Sequence, residues 1–387
     1  MKTPSSPKVP TAELDALKGA AADMERFVEE KLLDEAGLLR SFLNKDTLRP
    51  WTNDELKAAG FDFRILYRFE RGKADGVLAY EDTLMATSEY GLAQLEKYRA
   101  TGEAVALASA AWEVAALLRV LFEGEQHERG YLPKPHGGMR RAGWSHEISP
   151  DQIIKGVVTL RAFQPWAPPA QRATIDGHLV AIADYFVHRN FVHPYRDRTL
   201  VTAPTHSHAL SLYVPILVLA AKITGERRYL DHLGQFSPVL DGMLKDGGPV
   251  LGPNGVALLG EGFHLAMAEG YKDDRLSQVV RQQWGKNVAL LTGDGAGWNP
   301  SRDFTGHRCV RLCSAAPLVD RSFPELGAIP LALRLMRQNP EPRRILHVAE
   351  GNTLPPGQRF EMKSICETSI SSWLLGYWRL RALSGSL

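Results

Sequence analysis

Carboxylates and imidazoles recur in five short segments of this 387-residue chain, each at or near the start of an expected helix. They are Tyr80-Glu81-Asp82-Thr83, Trp144-Ser145-His146-Glu147-Ile148-Ser149-Pro150-Asp151-Gln152, Thr205-His206-Ser207-His208, Glu261-Gly262-Phe263-His264 and Glu367-Thr368-Ser369. Asp82, Glu147, Asp151, His206 and His208 are residue types that pass protons in general acid–base catalysis, provided the fold gathers them. Each also has a plain structural reading. Ser149-Pro150-Asp151-Gln152 spells a Ser-x-x-Gln capping box with proline at the first helical position, and the helix dipole favours aspartate in a first turn. A helix N-terminus lowers a carboxyl pKa, whereas a general acid needs burial or a neighbouring negative charge to raise it. Asp82 or Glu147 would supply that charge to Asp151.

Aromatic residues accompany these groups. Tyr131, Trp144, Tyr213, Trp298 and Trp373 offer flat apolar faces, and His264 adds a polar edge. That mixture suits a sugar, with C–H faces to stack and hydroxyls to hydrogen-bond. Arg140 and Arg141, beside Gly137-Gly138, have the planar fork that binds a carboxylate. The glycine-rich stretch 293–297 lacks the Gly-Lys-Ser/Thr ending of a phosphate loop and reads as a pocket-edge loop before Trp298. His307, Cys309 and Cys313 do not have zinc-ligand spacing. No metal or cofactor is expected, and the expected partner is an oligosaccharide.

The elements that must position these groups are helices. Strand signals are almost absent, while apolar residues at helical spacing recur in pairs of segments. The pairs are 82–99 with 103–122, 150–163 with 168–189, 207–223 with 226–244, 263–269 with 274–291, and 324–337 with 342–348. The last segment, 368–383, lacks a downstream partner, and 11–33 supplies one by closing the ring. The expectation is an all-α (α/α)6 toroid of six helical hairpins, one domain over 1–387, with 1–10 a disordered tail. Thr-Gly-Glu at 101–103 and at 224–226 read as equivalent short joints, and Gln338-Asn339-Pro340-Glu341 as another. By analogy with such toroids, the reactive segments then face the opposite end, at one mouth.

Composition excludes other classes. Lys plus Arg number 46 against 44 Asp plus Glu, a formal net charge of +2, so no global field holds the chain on nucleic acid. The longest apolar run, 210–221, falls short of the roughly 20 residues that span a bilayer, so no membrane helix is expected. The first ten residues contain no apolar segment, and Cys309, Cys313 and Cys366 are too few and too odd in number for a disulfide framework. Both point to a cytoplasmic protein.

Asp82-Thr83-Leu84-Met85, a Tyr-bearing helix, Ala100-Thr101-Gly102-Glu103, an Ala/Leu-rich helix, Gly130-Tyr131-Leu132-Pro133 and the segment ending Asp151-Gln152 together resemble the unsaturated glucuronyl and rhamnogalacturonyl hydrolases. Those are six-hairpin glycosidases, and the resemblance runs from Asp82 to about Phe163. It implies two aspartates facing the substrate at the first two inner helices, Asp82 and Asp151. It further implies that Asp151 delivers a proton to an unsaturated uronyl ring and activates the hydrating water, with Asp82 as its partner. The segment Ser145-His146-Glu147 and the Asp151-Gln152 pair depart from the surrounding family pattern. A polysaccharide lyase or sugar epimerase on the same fold would instead use a base among His206, His208, His264 and Tyr213. A non-catalytic helical-hairpin binding protein would leave the acids salt-bridged or exposed.

Overall fold

Gly102 and Gly225 end two helices in the same way. Each takes the left-handed backbone that glycine tolerates, φ 73° and 75°, and each donates its N–H to the carbonyl four residues back, of Tyr98 and Ala221. The preceding threonine hydroxyls donate to the carbonyls of Lys97 and Ala220, both at 2.8 Å, and accept the N–H of Glu103 and Glu226. The two Thr-Gly-Glu joints are equivalent turns.

The computed structural model describes residues 9, 11–58, 74–145, 147–195, 198–201, 209–291, 307–350 and 361–385. Among these, twelve helices build the barrel: α1 (Lys18–Phe27), α2 (Thr83–Thr101), α3 (Ala104–Glu125), α4 (Pro150–Phe163), α5 (Pro169–His188), α6 (Val214–Thr224), α7 (Ser237–Leu244), α8 (Pro253–Ala268), α9 (Asp274–Leu290), α10 (Leu312–Ser322), α11 (Ala328–Gln338) and α12 (Glu367–Gly385). The even-numbered helices form the inner ring. α2 packs on α4, α6 on α8, α8 on α10, α10 on α12 and α12 back on α2, while α4 meets the turn Ala209–Tyr213 that leads into α6. The odd-numbered helices lie outside, and α1 backs α12, so the N-terminal helix closes the ring as expected.

Inner helices are buried all round. α2 buries every residue from Thr83 to Glu96, including Thr87, Ser88, Glu89 and Gln94, so its polar groups need partners inside the barrel. Two glycines let inner elements touch backbone to backbone: a Cβ on Gly262 of α8 would lie 2.2 Å from the Ser211 carbonyl oxygen, and one on Gly376 of α12 would lie 2.4 Å from that of Cys313.

The structure corrects several boundaries. The fourth inner helix starts at Pro253, not 263, because Gly260 and Gly262 serve close packing instead of ending a helix. Glu261 and His264 therefore lie within α8. The fifth hairpin is α10 with α11, joined through 323–327, since α10 carries Pro317 inside it and so escapes a reading that stops helices at proline. Residues 338–341 accordingly lead out of an outer helix toward a strand. Two antiparallel hairpins, β1 (Val192–Tyr195) with β2 (Arg198–Val201) and β3 (Leu346–Glu350) with β4 (Glu361–Ile365), precede α6 and α12; strands this short leave little pattern in a sequence.

One described helix, α3, is long and apolar enough by length and composition to cross a membrane, with mean hydropathy 1.8 over its best window. The expectation of no such helix took 210–221 as the longest apolar run and passed over this one, which the charged Glu113 and Arg119 interrupt. In the barrel α3 backs α2 and buries Val114, Leu117, Val120 and Leu121 together with Glu113.

Candidate active site

Segment 39–43 runs across the N-termini of α2 and α12 and is bonded to both. Ser41 Oγ accepts the Asp82 N–H at 2.9 Å, Thr83 Oγ1 donates to the Leu39 carbonyl at 2.8 Å, and the Phe42 N–H donates to Glu367 Oε2 at 3.0 Å. Phe42 adopts a left-handed backbone, φ 51°, which a phenylalanine takes only under constraint. Asp82 occupies the N-cap of α2, yet its carboxylate caps nothing. The carboxylate is thereby spared the amide hydrogen bonds that would lower its pKa.

The second inner helix is fixed against the first. Gln152 Nε2 donates to the Glu81 carbonyl at 2.6 Å and lies 3.4 Å from Asp82 Oδ1. Beside it, Asp151 accepts the Ser149 hydroxyl and the Gln152 N–H. The expected capping box is not formed, because the Ser149 hydroxyl turns to Asp151 and the Gln152 side chain leaves its own helix for Glu81. From α10's side, Arg311 donates to Thr368 Oγ1 and holds its Nη2 3.9 Å from Asp82 Oδ2.

Charges in this cluster act on one another. Lys134, buried, lies 2.6 Å from Glu81 Oε1 and 2.8 Å from Glu147 Oε1, and His136 Nε2 lies 3.1 Å from Glu81 Oε2. Burial alone would raise the Glu81 pKa, but the Lys134 ammonium and the His136 hydrogen bond overrule it and hold the carboxyl well below its ordinary range. Asp82 goes the other way. Burial, with the charges of Glu81 and Asp151, pushes it up to about 6 against the pull of Arg311 and Lys134. Glu367 is pushed up to about 8 by burial and by the Asp82 charge.

Below this cluster a second one fills the barrel. Lys155 lies 2.5 Å from Glu89 Oε1 and 2.7 Å from Glu261 Oε2, and Arg379 lies 2.9 Å from Glu261 Oε1. Ser371 and Ser372 donate to Glu89, and Arg379 donates to the Ser314 carbonyl. These buried charges tie together α2, α4, α8, α10 and α12. Each of the four ionic groups finds an opposite charge, the condition for tolerating them at this depth.

The sequence-predicted residues divide accordingly. Asp82, Glu147 and Asp151 come together around Glu81 and Lys134. Glu147 is fully buried in its ion pair, with its carbonyl accepting the Lys134 N–H. Arg140 is exposed at the surface, and Arg311 is the arginine beside Asp82. Tyr131 is buried with its hydroxyl donating to the Ser145 carbonyl at 2.8 Å. Tyr213 is buried among Phe186, Phe191 and Phe236, and Trp373 is buried against Tyr377 with Nε1 donating to the Met336 carbonyl. Neither offers the open face a sugar would need. His264 sits within α8, where burial and then the charges of Arg379 and Arg321 push its pKa down to about 4. His206, His208 and Trp298 lie outside the described residues, as does the side chain of Trp144. Cys309 and Cys313 are core residues, and burial drives the Cys313 thiol far up. Sequence reasoning passed over Lys134 and Arg311; it placed Gln152 and Glu367 in the reactive segments, the first as a capping residue and the second as the acid at the start of the final inner helix, without giving either a role in the site.

No protein-family model matches this sequence, and no curated protein does. Among solved structures, a GH76 alpha-mannanase of Bacteroides thetaiotaomicron superposes with a TM-score of 0.55 at 10% identity, covering 97% of this chain and 98% of that one. An unsaturated glucuronyl hydrolase specific for heparin covers 95% and 96% at 9% identity with a TM-score of 0.38, too distant to carry an argument. The chain has the six-hairpin (α/α)6 toroid found among glycosidases. At this identity the likeness speaks for the fold.

Proposed function

We propose that the protein is a glycoside hydrolase acting on a uronic-acid-containing oligosaccharide by carboxylate acid–base catalysis. The observation that carries this reading is the Asp82 carboxyl. It stands at the start of an inner helix, caps none of that helix's amides, and has its pKa pushed up to about 6, where a group both holds and releases a proton near neutrality. Asp82 is therefore the proton donor, and Asp151, anchored by Ser149 and by its neighbour's amide, is the carboxylate that activates water. This exchanges the roles that the family resemblance implied. Arg311 supplies the fork for a sugar carboxylate beside the donor; its Nε is buried and lacks a hydrogen-bond partner among the described residues. The fold shared with an alpha-mannanase supports the reaction class.

On an unsaturated uronide the proton goes to the ring double bond, water adds and the linkage collapses; on a saturated one it goes to the leaving oxygen. The test is incubation with saturated and unsaturated uronic-acid oligosaccharides, followed by ultraviolet absorbance and product mass. Hydrolysis should appear in the wild type and drop about 10²- to 10⁴-fold in Asp82→Asn with circular dichroism unchanged. Inactivity across the panel, or a fully active Asp82→Asn, would overturn the reading. A gain of absorbance would assign a lyase, and an unchanged chain length an epimerase.

A further inference from the structure

α3 differs from α5 and α9, the other long outer helices, in what it shows to solvent. α5 turns out Arg172, Thr174 and His188, and α9 turns out Arg275, Gln278 and Arg281. The outward stripe of α3 is Val105, Ala108, Trp112, Ala115, Arg119 and Phe122, with Val105, Trp112 and Phe122 exposed by 70%, 43% and 60%. The steps along it alternate between three and four residues, the spacing of a helix–helix seam. Arg119, its one charged member, donates to the Ala36 carbonyl, which draws the guanidinium to the flank. Trp112 is steadied from that same flank, since a Cβ on Gly37 would lie 3.4 Å from the indole. The three large side chains leave on the order of 300 Å² of apolar surface open, the size of patch that marks a partner-binding face.

We propose that α3 is the seam of a symmetric dimer, packed antiparallel against the α3 of a second copy of this chain about a two-fold axis level with Glu113 and Val114. A two-fold contact sets one surface against itself, so residues equidistant from the axis face each other. In that register Trp112 faces Ala115, Phe122 faces Val105, Arg119 faces Ala108 and Leu118 faces Ser109. Every bulky side chain meets a smaller one, as close packing of facing helices requires. Charge gives the same answer. α3 has no acidic residue in its first turn and no basic one in its last, where Glu123 and Glu125 stand at the end that the helix dipole already makes negative. Glu125 is bonded to His178 and to the Gly130 N–H, and the N-cap Glu103 faces back to Lys97 at 3.9 Å. Antiparallel pairing sets Glu123 opposite Ala104 of the second copy, at the positive end of that helix, and does so twice per dimer. The apolar stripe then forms the centre of an interface of about 800 Å² per partner, and its polar flanks form the rim.

The test is sedimentation equilibrium on the whole protein, from micromolar to submillimolar concentration, for the wild type, Val105→Glu, Phe122→Lys and the two combined. The wild type should approach twice the chain mass. Each single substitution sets a charge against an apolar residue of the second copy and should raise the dissociation constant about tenfold or more. In the combined variant the opposite charges face each other across the seam, and association should recover. A wild type that stays monomeric throughout overturns the proposal. So does a dimer indifferent to the single substitutions, which uses another face, and one that the combined variant fails to restore, which uses another register. A monomer that floats with phosphatidylcholine vesicles overturns it as well and gives α3 to a membrane. Both substituted positions are open to solvent, so circular dichroism should match the wild type. Should a variant fail to fold, hydroxyl-radical oxidation of Trp112 and Phe122 in the wild type decides alone: protection should rise with protein concentration, and labelling that does not change with it overturns the proposal.

Discussion

The Gln152 side-chain amide lies 2.6 Å from the Glu81 carbonyl oxygen and 3.4 Å from Asp82 Oδ1, pinning the start of one inner helix to that of the next. The carbonyl is held at a point where no helical partner serves it. In Gln152→Ala it loses its donor, at a cost of about 1–3 kcal/mol. The donor carboxyl also loses a neighbour that fixes its direction, and misplacement at that scale costs about 10- to 100-fold in turnover. Chemical denaturation and kcat should both register the change; a variant with wild-type kcat would show that Gln152 serves stability alone.

Lys134 carries two carboxylates. Lys134→Met leaves Glu81 and Glu147 buried without their cation, and such an uncompensated charge costs about 3–5 kcal/mol. The sign with pH follows from Glu81. Its folded pKa lies below the unfolded value, so the stability it contributes is present above the unfolded carboxyl pKa of about 4.3 and fades as pH falls below it. The gap in melting temperature between wild type and Lys134→Met should therefore be wide at pH 7 and narrow toward pH 3. A gap independent of pH would remove Glu81 from the explanation.

The toroid was legible in the sequence because its joints are chemical: glycine in a left-handed turn, proline in a first turn, paired segments of helical spacing. The fifth hairpin was misread because Pro317 sits inside a helix whose packing absorbs it, and the fourth because Gly260 and Gly262 resemble breakers when they are contact points. At the candidate site, Asp82 drew notice by standing before one inner helix and Asp151 by lying in the first turn of the next. Gln152 was legible only as a capping residue, since nothing local says its side chain will leave its helix. Tyr213 and Trp373 looked like sugar platforms because an aromatic letter does not say which face it turns to the core. Arg311 and Lys134 are placed by tertiary contacts alone.

Glu113 is an acid that the site does not use. It is buried on α3 against Gly91 of α2, has weak hydrogen bonds from Ser109 at 3.4 Å, and is pushed up to about 8 by its burial, with the charge of Glu29 adding. Its folded pKa exceeds the unfolded value, so the folded state holds the proton longer and stability falls as pH rises from about 4.3 toward 8. Glu113→Gln removes that penalty. The variant should match the wild type at pH 4 and exceed it by a few kcal/mol at pH 9 in urea denaturation. Equal stability at both values would mean that Glu113 ionises freely.

Two helical glycines should respond in opposite directions to the same substitution. Alanine is favoured over glycine in a helix interior by about 1 kcal/mol, partly by restricting the unfolded chain. At Gly285 of α9 nothing lies within 4 Å of the added methyl, so Gly285→Ala should gain about that much. At Gly376 of α12 the methyl would sit 2.4 Å from the Cys313 carbonyl oxygen and 2.7 Å from its carbon, backbone atoms of the neighbouring inner helix that have no room to retreat. Gly376→Ala must therefore push α12 from α10, and α12 carries Glu367 at its head. The substitution should destabilise the fold by about 1–3 kcal/mol. Thermal melts of the two variants, measured side by side, separate ring packing from helix propensity, and a stabilised Gly376→Ala would contradict the close approach of those two inner helices.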